Sequence, residues 1–472
     1  MTEPTAEESQ AKQQEKLDND KTVSVSIPFQ NQIYAWYVVI ILMLAYTVSF
    51  IDRQILSLLV DPIRSDLSIS DTEMSLLQGL SFAVFYTLMG LPLGRLADQR
   101  SRRGIITIGV FFWSVMTAAC GFAKDYWQLF LARMGVGVGE AALSPSAYSI
   151  IADIIPPQRL SLAIGVYGIG VFLGAGLAMI IGGTIVGMVG ETGSIDFFLI
   201  GEIRSWQAVF ILVSLPGLLI VALMATIKEP KRRGTIRTSV VNGVDKIQGV
   251  PVREVIDYLR ANIRTVALHN LAVASLVVAL YGGMAWIPTF FKRIHDFGPA
   301  EVGLKYGVII LVFGTLGVIF GSWSSDRMLA KGVRDAKIRT GMYSAIGVIL
   351  PSIAFPLIDD PNYALALIAV STFFMTFAFG AAPAALQEIM PNQMRGQASA
   401  IYLCVISLIG LSTGPTAIAL ITDYVYGYDE AIRYALAIVP AVAMGFAAIL
   451  FALCLKPYKE SLDHLNEWSK YN

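Results

Sequence analysis

Four ionisable side chains stand inside apolar runs of this 472-residue chain: Asp52 and Arg53 side by side, and Arg133 and Glu140 seven residues apart. A charge in hydrocarbon costs several kcal/mol unless it faces a partner or a wet cavity, so such residues mark function before packing. Desolvation opposes ionisation of a carboxyl while a neighbouring guanidinium favours it, and opposed effects make a group that exchanges a proton when its neighbour moves. Asp52 and Glu140 are therefore expected to carry coupling protons, and Arg53 and Arg133 to hold an anionic substrate group. The competing reading is a neutral quartet that only ties two helices together.

Helices must position these groups. Twelve apolar runs of about membrane-spanning length follow one another: Tyr34 to Val60, Glu73 to Ala97, Gly104 to Ala123, Tyr126 to Ile155, Leu160 to Gly190, Trp206 to Ile227, Thr265 to Phe291, Val302 to Ser325, Thr340 to Leu357, Tyr363 to Met390, Gln397 to Tyr424 and Ala431 to Leu455. The expected fold is an all-α membrane protein of twelve transmembrane helices in two six-helix bundles, residues 34–227 and 265–455. Residues 1–33 read as a disordered cytosolic tail, 228–264 as a cytoplasmic linker with an amphipathic helix, and 456–472 as a second cytosolic tail. The linker helix, with Val252, Val255, Ile256, Leu259 and Ile263 at helical spacing, either lies on the inner membrane surface or packs on other loops. If the first run leads outward and the fourth inward, Asp52 and Arg133 fall at about one depth, and Glu140 lies roughly 10 Å nearer the midplane on Arg133's face.

Composition agrees. The chain is 55% apolar and 15% charged, well below the charged fraction of soluble proteins. Basic and acidic residues balance at 35 each, so no global field draws it to nucleic acid. Cys120, Cys404 and Cys454 are too few and scattered for a disulfide framework or a metal cluster, and no Walker loop, HExxH or GxSxG is present. The chain reads as no enzyme, with no metal and no cofactor beyond the proton as coupling ion. Lysine and arginine number 20 in loops 2-3, 4-5, 6-7, 8-9 and 10-11 against 7 in the others, which places both termini in the cytoplasm.

An internal repeat shows at the basic loops. Gly94–Asp98 with Arg100, Arg102 and Arg103 parallels Gly321–Arg327, and Asp153–Arg159 parallels Glu388–Arg395. A conformational latch is expected from Asp98, Arg100, Asp153, Arg159, Asp326, Arg327, Glu388 and Arg395, closing the cytoplasmic ends in an outward-open state. The second half carries aromatics instead of charge. Tyr281, Trp286, Phe373 and Phe377 are the expected apolar wall of a cavity for an amphiphile with an anionic or zwitterionic head.

Twelve spans with Gly94-x-x-x-Asp98-x-Arg100 and its counterpart in loop 8-9 resemble the major facilitator superfamily. Within it, Phe50-Ile51-Asp52-Arg53 with Ser57, Ile63-Arg64-Ser65-Asp66-Leu67 and Arg133-Met134-Gly135-Val136-Gly137-Val138-Gly139-Glu140-Ala141 resemble the spinster family. The resemblance implies a monomeric, proton-coupled transporter of a lysophospholipid or sphingolipid-like substrate, working by alternating access in a bacterial inner membrane among its lipids. It also implies that Asp52 and Glu140 are the titratable pair and Arg53 and Arg133 the cavity arginines. Ala142-Leu143-Ser144-Pro145 departs from the more polar stretch of animal members, which bears on headgroup preference. The alternatives are a small organic-anion or drug exporter, and a non-transporting membrane receptor or scaffold.

Overall fold

The structure, a computed structural model, describes residues 31–189, 194–197, 201–231, 238–241, 244–247, 252–391 and 394–471. Residues 1–30 of the expected tail lie outside it. Among the described residues, eleven helices are long and apolar enough to cross a membrane: α1 Gln32–Leu58, α2 Asp71–Ala97, α3 Arg102–Cys120, α5 Leu162–Met188, α6 Ser205–Ala225, α7 Ile263–His295, α8 Pro299–Ala330, α9 Ala336–Leu357, α10 Pro361–Glu388, α11 Gln397–Tyr426 and α12 Asp429–Trp468. The remaining apolar run is α4, in two pieces, Tyr126–Glu140 and Leu143–Ile154, each too short to cross alone. It breaks directly after Glu140.

The helices face the bilayer with apolar side chains and turn polar ones inward. Leu131, Leu162, Leu350 and Val442 are largely exposed, whereas Ser49, Thr117, Ser146 and Ser344 are fully buried. In lipid no hydrophobic force drives helices together, so close packing and small residues must. Across the two halves, α5 meets α8 glycine to glycine, where a Cβ on Gly307 would come 2.8 Å from the Gly176 carbonyl oxygen. α2 breaks at Gly79, where a Cβ would come 2.5 Å from the Leu411 carbonyl oxygen of α11.

Three cores result. One draws on both halves through Phe50, Ile55, Phe172, Trp286, Phe290, Ile310 and Phe355. The other two belong each to one half, apart from Leu411 of α11, which joins the first half's core. The shared core lies toward the end of the bundle away from the linker.

At that far end, ion pairs cross between halves. Arg293 of α7 donates to Asp61 Oδ1 at 2.9 Å and to Asp71 Oδ2 at 2.7 Å, and Arg64 donates to Asp429 Oδ2 at 2.8 Å. The Thr72 amide and hydroxyl both donate to Asp423. The ion pairs at the linker end described below each stay within one half.

Three details add to the sequence expectation. Two hairpins, β1 Ser194–Phe197 with β2 Gly201–Arg204 and β3 Thr238–Val241 with β4 Val244–Ile247, interrupt the helical pattern in loops too polar to span. The expected tail after residue 455 continues α12 as helix to Tyr471, because Tyr458, Leu462, Leu465 and Trp468 extend the apolar face onto the second-half core. The linker helix Val252–Ala261 packs on that extension: the Tyr258 ring stacks on His464 and its hydroxyl donates to the Ile389 carbonyl.

Arg293→Gln removes charged hydrogen bonds worth about 1.5–3 kcal/mol each from the closed far end. Spin labels on the 59–70 and 427–431 segments are expected to show a longer-distance population in this variant, and an unchanged distribution would remove the cross-half role of Arg293.

Candidate functional site

On α1, Ser49 and Arg53 are four residues apart and stack on one face. Both reach the same atom of α4: Ser49 Oγ donates to Glu140 Oε2 at 2.5 Å, and Arg53 Nε and an Nη donate to it at 2.5 Å. Asp52, one residue along, turns to the adjacent face, where its Oδ2 accepts from Thr117 Oγ1 of α3 at 3.3 Å. Arg133, two turns before Glu140, donates to the Asp52 carbonyl oxygen at 3.2 Å. The four charges therefore form one contiguous group, with Arg53 and Glu140 side chains 12% and 0% exposed.

Alternating glycines bring α4 close enough for this. Gly137 faces α2, where a Cβ would come 2.7 Å from Phe82 O, and Gly139 faces α3, where it would come 2.8 Å from Trp113 N. The helix ends at Glu140, leaving the carboxylate at a backbone break. Phe50, Phe82 and Tyr86 enclose the Arg53 guanidinium at 4.8, 4.3 and 5.0 Å from their ring centres, a setting in which cation–π attraction helps a partly desolvated cation.

Hydrogen bonding is incomplete. Asp52 Oδ1, Glu140 Oε1 and Arg133 Nε are buried without a partner among the described residues. A buried unpaired polar atom costs about 1–3 kcal/mol, so each is a place where a proton or a ligand gains free energy. The arrangement can break and reform a guanidinium–carboxylate pair as protons or anions compete for it.

A small cavity of about 30 Å³ opens on this group, lined by Arg53, Gln54, Ser57, Gln78, Phe82 and Arg133. A second, of about 60 Å³, is lined chiefly by apolar residues, among them Val171, Phe172, Leu280, Ile287, Phe355 and Met375. Phe50, Tyr281 and Met284 line both, so a polar chamber adjoins an apolar one.

Of the four aromatics expected at the substrate, Tyr281 lines both chambers and the others line neither. Trp286 is fully buried, its Nε1 donating to the Pro415 carbonyl oxygen at 2.9 Å, so it packs α7 onto α11. Phe373 and Phe377 cluster with each other and with Phe374, on the stretch of α10 whose backbone abuts Gly317 and Gly321 of α8. Sequence reading passed over Ser49, Gln54, Gln78 and Thr117, uncharged polar residues in apolar runs. Listing such residues by depth is the signal that finds them.

Two of the latch carboxylates, Asp153 and Glu388, pair within their own half. Asp153 accepts from Arg102, a fully buried residue at the start of α3, whereas Arg159 donates to Gln32 Oε1 at 3.0 Å. Glu388 accepts from Lys337 Nζ at 2.7 Å and from the Tyr458 hydroxyl at 2.6 Å, whereas Arg395 donates to the Gln387 carbonyl oxygen at 3.0 Å. Arg100 and Asp326 are exposed, Arg327 lies 5.3 Å over the Trp323 ring, and the Asp98 side chain is outside the described residues. By sequence, arginines of the same and of the neighbouring loop are both candidates. The fold selects the first turn of the preceding helix, bringing Arg102 of α3 to the end of α4 and Lys337 of α9 to the end of α10. Glu229, beside Arg102, is ordered by the same contacts. Burial opposes its ionisation, but the Arg103 amide, the Ser101 hydroxyl and the Arg102 guanidinium outweigh that and hold its carboxyl below the usual range.

The sequence profile described as Major Facilitator Superfamily matches residues 42–415. The chain is 25% identical to an MFS-type efflux pump of Mycolicibacterium smegmatis over 82% of this chain and 85% of that one. It is 28% identical to protein spinster homolog 1 of Xenopus tropicalis over 82% of this chain and 73% of that one. Among solved structures, a bacterial homolog to the human lysosomal transporter spinster, in an inward-facing and unoccupied conformation, superposes with a TM-score of 0.72 at 25% identity, covering 93% of this chain and 99% of that one.

Overpacking a close helix contact costs about 1–3 kcal/mol. Gly137→Ala and Gly139→Ala are each expected to destabilise the protein by that amount and so to lower its thermal unfolding midpoint in detergent. Gly165→Ala, with nothing within 4 Å of the added methyl, serves as control and leaves the midpoint unchanged or raised.

Proposed function

We propose that this chain, which belongs to the major facilitator superfamily, is a spinster-like transporter that carries an amphipathic anionic or zwitterionic molecule of lysolipid type, coupled to protons. The observation that carries this reading is the joined pair of chambers, one holding Arg53 and Arg133 and the other chiefly apolar. A head and tail on one molecule satisfy both at once, while a small polar solute leaves the larger chamber unused. The resemblance to spinster proteins at the same four charged residues supports it.

In the proposed cycle, Asp52 and Glu140 take up and release protons, and Arg53 exchanges Glu140 for the substrate's anionic group. Protonating Glu140 removes the charge that holds Arg53, and the freed guanidinium then binds the anion more strongly. The basic loops set the linker end in the cytoplasm of a bacterial cell, with both termini there and the far end facing outward. On that orientation the cross-half pairs at Arg293 and Arg64 close the outer side. Alternating access then requires the outer pairs to part while the cytoplasmic loops, Asp98 and Asp326 among them, close. The protein acts as a monomer.

A small organic-anion or drug exporter is the second reading, supported by the similarity to the M. smegmatis efflux pump. A receptor or scaffold explains less, since it gains nothing from four intramembrane charges.

In proteoliposomes, Glu140→Gln is expected to abolish transport driven by a pH gradient while retaining ligand binding; full pH-driven transport in this variant would exclude Glu140 from coupling. Thermal stabilisation by lysolipids beyond that given by short organic acids is expected for the unaltered protein, and the reverse order would favour the second reading.

A further inference from the structure

Gln78 is the last residue of the helix Asp71–Gln78, where α2 breaks at Gly79 against α11. Both polar atoms of its amide, Oε1 and Nε2, are out of solvent and without a partner among the described residues, yet the side chain lines the polar chamber. Arg133 lines the same chamber with its Nε unpartnered, while one Nη is held by the Asp52 carbonyl. Unlike Arg53, it has no carboxylate within ion-pair distance among the described residues.

We infer that Gln78 and Arg133 form a headgroup clasp for an oxyanion that carries a hydroxyl close by, as in the phosphate ester of a monoacylglycerol. The inference rests on the amphiphile reading of the same cavity and specifies its chemistry. The guanidinium presents N–H donors to the anionic oxygens. The amide differs in having one face of each kind: its N–H group also donates to the oxyanion, whereas its carbonyl needs a donor. A fatty acid or an alkyl phosphate leaves that carbonyl unpaired, and a neighbouring hydroxyl satisfies it. A site built to pair with a hydroxyl discriminates strongly against ligands that lack one.

Gln78 has an alternative role, to stabilise the α2–α11 contact, and the two roles predict opposite effects on the ligand-free protein. Replacing an unpartnered buried amide by an apolar group of similar size is neutral or stabilising, whereas removing a structural hydrogen bond is not.

The test is binding of two probes of equal chain length, dodecanoyl glycerol phosphate and dodecyl phosphate, to the full chain in detergent, read by calorimetry and by thermal shift. The unaltered protein is expected to prefer the glycerol phosphate by about tenfold or more. Gln78→Leu is expected to lose that preference, to bind dodecyl phosphate within a few-fold of the unaltered protein, and to keep or raise the ligand-free unfolding midpoint. Gln78→Asn, with the same groups on a shorter arm, retains part of the preference. If Gln78→Leu keeps the preference, or if its ligand-free midpoint falls, the clasp is wrong and the amphiphile reading stands. If the unaltered protein binds neither probe, that reading fails with it.

Discussion

A guanidinium and a carboxylate facing each other in a region where neither can be hydrated set the terms for this molecule. Removing one member of a buried pair strands the other at a cost of about 3–5 kcal/mol, so every neighbour must keep Arg53 and Glu140 in register. Ser49 shares the carboxylate oxygen, three aromatic rings enclose the cation, and Gly137 and Gly139 give up side chains so that α4 can come near α2 and α3. The break after Glu140 follows the same logic, because it ends the helix where the acidic side chain must meet α1. A continuous apolar helix running through both pieces of α4 would be simpler to insert and would have no site.

The pair also explains why the second half can be so poor in charge. Once α1 and α4 supply two cations and two carboxylates, a cavity wall needs only to accept the rest of a ligand. Tyr281 and Met284 of α7 sit at the seam, shared by the polar and apolar chambers. Asymmetry between the halves thus lies in the lining, whereas the linker-end ion pairs keep matching placements. Arg102 to Asp153 in the first half and Lys337 to Glu388 in the second join the start of one helix to the end of the next at matching positions.

Much of this was legible from residue order because the bilayer penalises charge so heavily. Span number, the division into halves and the candidate quartet follow from which residues tolerate hydrocarbon, and the resemblance over Asp52 and Glu140 sharpened them. What was not legible depends on helix rotation and on partners distant in sequence. Trp286 and Tyr281 lie five residues apart on one helix, yet one is sealed against Pro415 and the other faces the cavity. Hydropathy cannot separate them, since both are aromatic at similar depth. The partners of the latch carboxylates stayed open for a related reason: arginines of the same and of the neighbouring loop are both candidates for Asp153, and only the fold brings Arg102, at the head of the preceding helix, to it. The helical continuation after residue 455 was not read from hydropathy, although Tyr458, Leu462 and Leu465 keep helical spacing.

The distribution of contacts determines how such a molecule can move. Ion pairs at the linker end bind helices within a half, so each half is braced as a unit. Besides the shared apolar core, the contacts between halves are of two kinds. Those at the far end are charged and centred on Arg293, whose side chain is largely buried against a buried Asp71. Those deeper in are close backbone approaches at glycines, Gly176 with Gly307 and Gly79 with Leu411, with Leu311 and Ile180 packed beside the first. Rocking of one half on the other therefore requires the charged pairs to part and part of the shared core to unpack, while the glycine contacts offer the smaller side-chain barrier. Gln54, whose Nε2 donates to the Met284 carbonyl oxygen at 2.7 Å, lies between these two kinds of contact and beside the charged group. It makes the boundary between the chambers part of the boundary between the halves, so any rocking of one half on the other must reshape the cavity that Arg53 and Glu140 control.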